Sequence, residues 1–242
     1  MADETNGVAL IVGAGAGLGG GLGRRFAAAD MGVALASRNE DNATRLAGEV
    51  AKVAGSTVRG YGCDATNAED VTDLFDSVTN DLGDPDVVVY NASGFLMKSV
   101  LEIDPDELAE QWEVTCLGGF LIGREAARRM VERENGGTII FTGATACYKG
   151  SANFAGFAVG KFGLRALAQS MARELGPRGV HVALVNIDGE INGPHHAHEI
   201  EDRGVDAFLD TDAIAETYYA LHRQHPTAWT HELDLRPAIE KW

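Results

Sequence analysis

Short apolar runs alternate with amphipathic segments along most of the chain, and glycine, proline, asparagine or aspartate bounds them. Five runs rich in valine, isoleucine, leucine and alanine predict strands over residues 8–12, 33–36, 86–90, 137–141 and 180–185, and residues 57–61 are a plausible further strand. The segments between them predict helices over residues 18–30, 41–53, 67–82, 105–133 and 153–175. Regular alternation of buried strands with helices predicts an α/β fold, in which helices cover both faces of a parallel sheet.

The pattern weakens after Asn186. Residues 190–225 are expected to form a substrate loop or lid, with a helix over 212–222, and residues 229–235 suit a last edge strand. With no linker or repeat, the whole chain, 1–242, is predicted to be a single Rossmann-like domain. Its doubly wound parallel sheet would contain about seven strands.

The first predicted strand, Val8–Val12, runs directly into a glycine cluster that opens the first helix. Glycines allow a sharp turn and a close backbone approach to a bound group, and the N–H groups of a helix N-terminus favour phosphate. The turn therefore predicts a nucleotide site. Its residues are Gly13, Gly15, Ala16, Gly17, Leu18 and Gly19.

Composition narrows the classes of function. The formal net charge of −16 argues against nonspecific binding to nucleic acid or to anionic membranes. No apolar run approaches the ~20 residues of a membrane span, and residues 1–6 lack a signal-peptide pattern. Three widely spaced cysteines indicate neither disulfides nor a zinc site. We therefore expect a cytoplasmic protein with a small-molecule substrate and no bound metal.

The end of the second predicted strand bears on the choice of nucleotide. In dinucleotide folds an acidic residue there binds the ribose 2′-hydroxyl, whereas arginine accommodates a 2′-phosphate. Ser37 and Arg38 occupy this position, and a guanidinium suits phosphate geometry. NADP(H) is therefore favoured over NAD(H), although Arg38 could also be an ordinary exposed arginine.

Over residues 7–190 the chain resembles the short-chain dehydrogenase/reductase family. The spacing Gly13-x-x-x-Gly17-x-Gly19 is the glycine turn of that family, with Val12 where threonine is usual. Two further motifs match the family's adenine-binding aspartate and its Asn-Ala-Gly turn; they are Asp64-Ala65 after the third strand and Asn91-Ala92-Ser93 after the fourth. The resemblance implies a nicotinamide-dependent oxidoreductase whose cofactor contacts these residues.

The resemblance also implies a catalytic Tyr-x-x-x-Lys pair, and half of that pair is missing. Lys161 matches the lysine that binds the nicotinamide ribose, but Phe157 stands at the tyrosine position. Phe154 occupies the alternative position that the enoyl-reductase branch uses. Ala144 replaces the usual serine and Thr115 the usual asparagine. Phenylalanine cannot transfer a proton, so another group or water must protonate the substrate.

Several other groups are candidates for the proton donor. Tyr148 lies in the loop after the fifth strand, where its pKa of ~10 would need lowering by Lys149 or Lys161. The favoured alternative for Tyr148 is an ordinary tyrosine of a surface loop. Thr115 could supply a hydroxyl group to the substrate. Three histidines in the expected lid titrate near neutrality, namely His195, His196 and His198. Asp188 and Glu190 could add a carboxylate to the site or cap a loop.

Three hypotheses of function follow. The first is NADPH-dependent reduction of a carbonyl or activated double bond with a non-standard proton donor. The second is a nucleotide-binding sensor or partner subunit with little redox turnover, and the third is a non-redox lyase or isomerase. The resemblance further implies a homodimer or homotetramer built from the long helices over residues 105–133 and 153–175.

Overall fold

A computed structural model describes residues 6–53, 55–193, 196 and 198–239. One parallel sheet runs through them in the order β3-β2-β1-β4-β5-β6-β7. The strands are β1 Val8–Val12, β2 Gly32–Ser37, β3 Val58–Gly62, β4 Val87–Tyr90, β5 Gly137–Ala144, β6 Val180–Ile187 and β7 Glu232–Leu235. The predicted seven-stranded Rossmann-like α/β fold is confirmed.

Helices connect the strands and cover the sheet. They are α1 Leu18–Ala27, α2 Glu40–Ala51, α3 Ala68–Leu82, α4 Pro105–Trp112, α5 Gly118–Met130, α6 Ala155–Leu175, α7 Ile200–Arg203 and α8 Thr211–His222. Side-chain oxygens of Asn39, Asn67, Asp104 and Asp210 accept N–H bonds at four helix starts. These short polar residues explain why the helices begin where they do.

The sheet separates two apolar cores. Val8, Leu10 and Val12 of β1 face the core under α3, α5 and α6, whereas Ala9 and Ile11 face the core under α1, α2 and α8. Because successive strand residues point to opposite faces, a strand buried on both sides must be continuously apolar. This requirement explains the unbroken apolar runs in the sequence.

The order of the strands reverses at β1, which lies between β2 and β4. Crossovers leave in opposite directions from this point, so the loops at the carboxyl ends of β1 and β4 diverge and leave a crevice. Gly13 begins one loop and Asn91 the other. The fold therefore places both predicted nucleotide motifs at the same crevice.

The helix predicted over residues 105–133 is interrupted. Glu113–Leu117 forms a π-helical turn between α4 and α5. The phenol group of Tyr90, buried at the end of β4, donates a hydrogen bond to the carbonyl of Val114. This carbonyl is thereby engaged from outside the helix, and such π turns are frequent at functional sites.

Other predicted boundaries also shift. Asn153, expected to begin α6, has φ +68°, so the helix starts at Ala155. Asp30 has φ +60° and lies beyond the end of α1. In the predicted lid, α8 is part of the core: its Tyr218 is buried and lies 2.9 Å, oxygen to oxygen, from the Thr142 hydroxyl. The lid prediction is therefore retained only for the segment that precedes α8.

Candidate active site

The glycine turn is shaped by backbone approach. Gly13 has φ +86°, and a Cβ there would lie 2.3 Å from the amide nitrogen of Ala92. The side-chain amide of Asn91 donates to the carbonyl of Gly13 over 3.0 Å, which ties the β1 and β4 loops together. Gly15 and Gly17 have no atom within 4 Å of a Cβ position, so they border open space. The turn thus combines a close-packed base with an open rim.

The N-terminus of α1 opens onto the same space. Gly17 is its N-cap and has no side chain to satisfy the first backbone N–H groups. Leu18 and Gly19, the first helical residues, line the crevice. The first N–H groups of a helix have no intrahelical partner, and the helix dipole makes this end positive. These donors fit a pyrophosphate.

The crevice consists of two adjoining cavities of about 490 and 300 Å³ that share the walls Gly13, Asn91 and Ser93. All the predicted cofactor-binding residues line one or the other. The larger cavity is lined by Gly15, Ala16, Gly17, Leu18, Gly19 and Lys161. The smaller is lined by Ser37, Arg38, Asp64, Ala65 and Ala92. The structure therefore brings together residues that are far apart in sequence, while their contacts with a cofactor remain a prediction.

Asp64 is held firmly in the smaller cavity. Its Oδ1 accepts bonds from the Thr66 backbone N–H (2.9 Å) and from the Thr66 hydroxyl (2.7 Å). These two bonds, with the guanidinium of Arg38 nearby, hold the pKa of Asp64 below its usual range. Arg38 is exposed, and the Ser37 hydroxyl donates to the carbonyl of Asn39 over 2.7 Å. A fixed carboxylate and an accessible guanidinium fit the adenosine end of a dinucleotide.

Lys161 projects from α6 into the larger cavity. Its side chain is buried, and Nζ donates to the carbonyl of Thr142 on β5 over 2.8 Å. Burial lowers the pKa of Lys161 to about 8, because desolvation disfavours the ammonium form. Sequence reasoning identified the lysine but missed its carbonyl partner, which depends on the packing of α6 against β5.

Thr115 is buried away from the cavity in which a substrate contact would lie. The π turn buries it completely, and its hydroxyl accepts the N–H of Gly94 over 3.1 Å. The Ser93 hydroxyl lies 3.4 Å from the same oxygen. Thr115 does not line the larger cavity. It supports the loop after β4 and is best described as a positioning residue.

Phe157 and Ala144 line the larger cavity together with Lys161. The ring centroid of Phe157 lies 5.8 Å from Nζ of Lys161. The side chains at the usual tyrosine and serine positions are therefore hydrocarbon. Among the described residues, Lys161 and His196 are the titratable side chains that line this cavity.

Tyr148 does not meet the requirement set for it as a proton donor. Its hydroxyl group bonds to the carboxylate of Asp234, and the side chain does not line the larger cavity. Burial and the hydrogen bond to Asp234 raise the pKa of Tyr148, whereas proton donation near neutrality needs it lowered. The lowered pKa that proton donation would need is absent, because the phenol is partly buried and β7 brings a carboxylate to it. These contacts commit the Tyr148 phenol to β7 rather than to the cavity.

The lid candidates are engaged mainly with one another. His195 lies outside the described residues, and His198 is exposed, 3.9 Å from Glu199. Nδ1 of His196 lies 2.9 Å from Glu199, and Glu190 forms an ion pair with Arg203. Arg203 also pairs with Glu199, so a guanidinium already supplies the positive charge between these acids. The cluster carries no metal assignment.

Asp188 is also committed to structure. Its carboxylate accepts the Thr145 hydroxyl and forms an ion pair with Arg236. The ion pair attaches the segment after β7 to the carboxyl end of β6, and the hydroxyl bond attaches the segment after β5 to the same point. Of the two alternatives for Asp188, the structure favours stabilisation of a loop.

Phe95 is a residue that the sequence reasoning missed. It follows the β4 motif, is 68% exposed, and lines the larger cavity. Its ring meets Phe157 edge to face, with 5.3 Å between centroids. The signal was available: an aromatic residue directly after Asn-Ala-Ser-Gly lies where the fold forms its crevice.

Comparison with known proteins agrees with this geometry. The family model for short chain dehydrogenase matches residues 7–202. The chain is 32% identical over 195 residues to a short-chain dehydrogenase/reductase of Armillaria gallica, covering 79% of this chain and 73% of that protein. It is 30% identical over 215 residues to sorbitol-6-phosphate 2-dehydrogenase of Escherichia coli, covering 88% and 83%.

A solved short-chain dehydrogenase from Rhodopseudomonas palustris is 33% identical and superposes with a TM-score of 0.81, covering 95% of this chain and 98% of that one. The chain belongs to the short-chain dehydrogenase/reductase family, an oxidoreductase family that binds NAD(P). The resemblance stated from the glycine, aspartate and asparagine motifs is confirmed. No helix in the described part of the chain is both long and apolar enough to cross a lipid bilayer.

Proposed function

We propose that the protein is an NADPH-dependent reductase of a carbonyl compound or an activated double bond, in which a group other than tyrosine supplies the proton. One observation carries the proposal. The helix N-terminus that fits a pyrophosphate and the buried Lys161 line the same cavity. A lysine buried at this position has no evident structural need for its charge, since it faces a carbonyl rather than a carboxylate.

The donor set fits the dinucleotide along its length. The α1 N-terminus suits the pyrophosphate, Asp64 the adenine, and Asn91 with Lys161 the nicotinamide ribose. Arg38 beside the smaller cavity supports NADP(H), because its planar guanidinium can bind a 2′-phosphate through two hydrogen bonds. When bound, the reduced cofactor supplies a hydride.

Lys161 is the proposed proton source. An ammonium group with a pKa of about 8 is charged at neutral pH yet gives up its proton readily, as general acid catalysis requires. As hydride adds to carbon, the π electrons move to oxygen, or to the α-carbon of an enone. The Lys161 ammonium delivers the proton there, and the resulting amine recovers a proton from water. A conjugated alkene is the easier substrate, because its negative charge delocalises before protonation.

The absence of tyrosine at position 157 also favours the second candidate, a nucleotide-binding protein without redox turnover. Phe157 and Ala144 remove both hydroxyl groups of the family's usual proton-transfer machinery. Such a protein could serve as a sensor or partner subunit, because its cofactor crevice would still change shape or dynamics on binding.

One assay separates the two candidates. Purified protein is mixed with NADPH and a panel of ketones, imines and enones, and the nicotinamide absorbance is followed. The reductase proposal predicts oxidation of NADPH with at least one class. NADPH binding without turnover of any class of compound would refute the reductase proposal and leave the nucleotide-binding sensor or partner subunit as the candidate.

A homodimer or homotetramer is proposed on separate grounds. Three large apolar side chains are exposed on α5 and α6, namely Phe120, Val159 and Phe162. Apolar surface on long helices is typical of subunit interfaces.

A cytoplasmic setting is also proposed. Buried Cys63 and Cys147 are free thiols, which fits this setting.

A further inference from the structure

Three phenylalanine rings pack together beside the larger cavity, and two of them, Phe95 and Phe157, line it. Phe95 comes from the loop after β4, and Phe154 and Phe157 come from the start of α6. The Phe95 centroid lies 5.9 Å from that of Phe154 and 5.3 Å from that of Phe157, at interplanar angles of 68° and 63°. We call these three residues the aromatic shelf. Edge-to-face packing fixes the rings relative to one another.

The shelf is open to a ligand on one side. Phe95 is 68% exposed, although it is packed against two other rings and lines the cavity. An exposed apolar patch beside a concave site gains free energy when an apolar ligand covers it. The cavity side of the shelf therefore favours a ligand with its own flat apolar surface.

The reacting end of the cavity adds a second restriction. Phe157 and Ala144 present hydrocarbon where the family usually presents hydroxyl groups, and Lys161, with Nζ 5.8 Å from the centroid of the Phe157 ring, lines the same cavity. A polyol or sugar bound against these side chains would leave hydroxyl groups without hydrogen-bond partners, which is costly. A conjugated or aromatic compound has no such groups to satisfy.

We propose that the aromatic shelf binds the planar apolar part of a conjugated carbonyl substrate, such as an aryl enone, and holds its reducible carbon near Lys161. This inference rests on the proposed reductase function, and it names the substrate class. Phe95 and Phe157 supply the ring contacts that select aromatic or conjugated compounds over aliphatic ones. Phe154 packs edge to face against Phe95 and does not line the cavity.

Equilibrium binding tests the shelf without turnover. The protein is saturated with oxidised NADP, which cannot donate hydride, and titrated with 4-phenyl-3-buten-2-one or with 2-decanone, an aliphatic ketone of equal carbon number. We expect the aryl enone to bind roughly tenfold more tightly, as ring contacts of this kind allow. Calorimetry or ligand-observed NMR measures both dissociation constants.

Two variants show whether Phe95 is responsible. Phe95→Ala is expected to weaken the aryl enone roughly tenfold while changing 2-decanone less than about twofold. Met97→Ala is the matched control, because Met97 is 64% exposed in the same loop but does not line the cavity. It should leave both constants unchanged. Unaltered NADP affinity in Phe95→Ala shows that the fold is intact.

The outcomes separate the two proposals. Equal binding of the two ketones, or equal losses in Phe95→Ala, overturns the shelf even if the protein reduces aliphatic ketones. Selective aryl enone binding that depends on Phe95 supports the shelf. If that binding occurs but no class of compound is reduced with NADPH, the reductase function fails while the shelf stands as a ligand site.

Discussion

Restoring the missing phenol is the most informative single change. Phe157→Tyr adds one hydroxyl group to a ring that already lines the cavity and has Nζ of Lys161 5.8 Å from its centroid. With the ammonium and the phenolate charge about 6 Å apart and an effective dielectric constant of ~20, the ammonium stabilises the phenolate by about 3 kcal/mol. This corresponds to lowering the phenol pKa by about 2 units, from ~10 to ~8.

A phenol with such a pKa is a competent general acid near neutrality. General acids contribute ~10²–10⁴-fold, and Lys161 already supplies part of this by our proposal, so we expect ketone reduction to rise about tenfold to a hundredfold. Enone reduction should rise less, because charge delocalisation lowers its need for an acid. Initial rates with NADPH, measured for both substrate classes, provide the test.

Phe162→Tyr is the matched control for this change. Phe162 lies on the same helix, is exposed, and does not line the cavity. Its substitution should leave ketone reduction unchanged. If Phe157→Tyr is as inactive on ketones as the parent, or gains no more than Phe162→Tyr, then Lys161 and residue 157 are not arranged for proton transfer.

Three further predictions concern charge. Arg38→Ala should weaken NADPH binding about ten- to a hundredfold and leave NADH binding nearly unchanged. Arg45→Ala, which removes an exposed ion pair on α2, is the control and should change the binding of neither nucleotide. Equal losses of NADPH and NADH affinity in Arg38→Ala would refute the 2′-phosphate assignment. Because the proposed acid is the ammonium form, kcat/KM for reduction should fall as pH rises through about 8. Lys161→Arg should abolish this fall while keeping NADPH affinity. The same pH dependence of kcat/KM in Lys161→Arg as in the parent would exclude Lys161 as the donor. Burial lowers the pKa values of His181 and His222 below 6.5, so the unfolded chain binds protons first on acidification. The free energy of unfolding from urea titrations should therefore fall below pH 6.5, and no fall would contradict the burial of neutral imidazoles.

The fold was largely predictable because burial on both faces leaves a direct mark on the sequence. A run such as Val8–Val12 suits only a strand covered on both sides, and five such runs separated by helices leave few alternatives. The glycine turn was equally predictable from the sequence, because only glycine suits the positive φ of residue 13 and its close approach to Ala92.

The features that could not be predicted from the sequence depend on contacts between distant segments. The π turn contains the carbonyl of Val114, which accepts a hydrogen bond from Tyr90, 24 residues earlier in the chain. The sequence offers Lys149 and Lys161 as neighbours of Tyr148, but its hydrogen-bond partner is Asp234, which lies 86 residues away and is brought near by the parallel pairing of β7 with β6. Pairings of this kind depend on sheet order and packing, and local patterns do not encode them.

Direct transfer of hydrogen from cofactor to substrate tests the central claim. NADPH deuterated at the transferring position of the nicotinamide is incubated with the protein and an aryl enone, and the product is analysed by mass spectrometry. The account predicts a reduced product that carries one deuterium at the carbon that receives hydride, with the second hydrogen derived from water. Tight binding of NADPH with no labelled product, from this enone or from any ketone or imine, would contradict the claim that this crevice reduces a substrate.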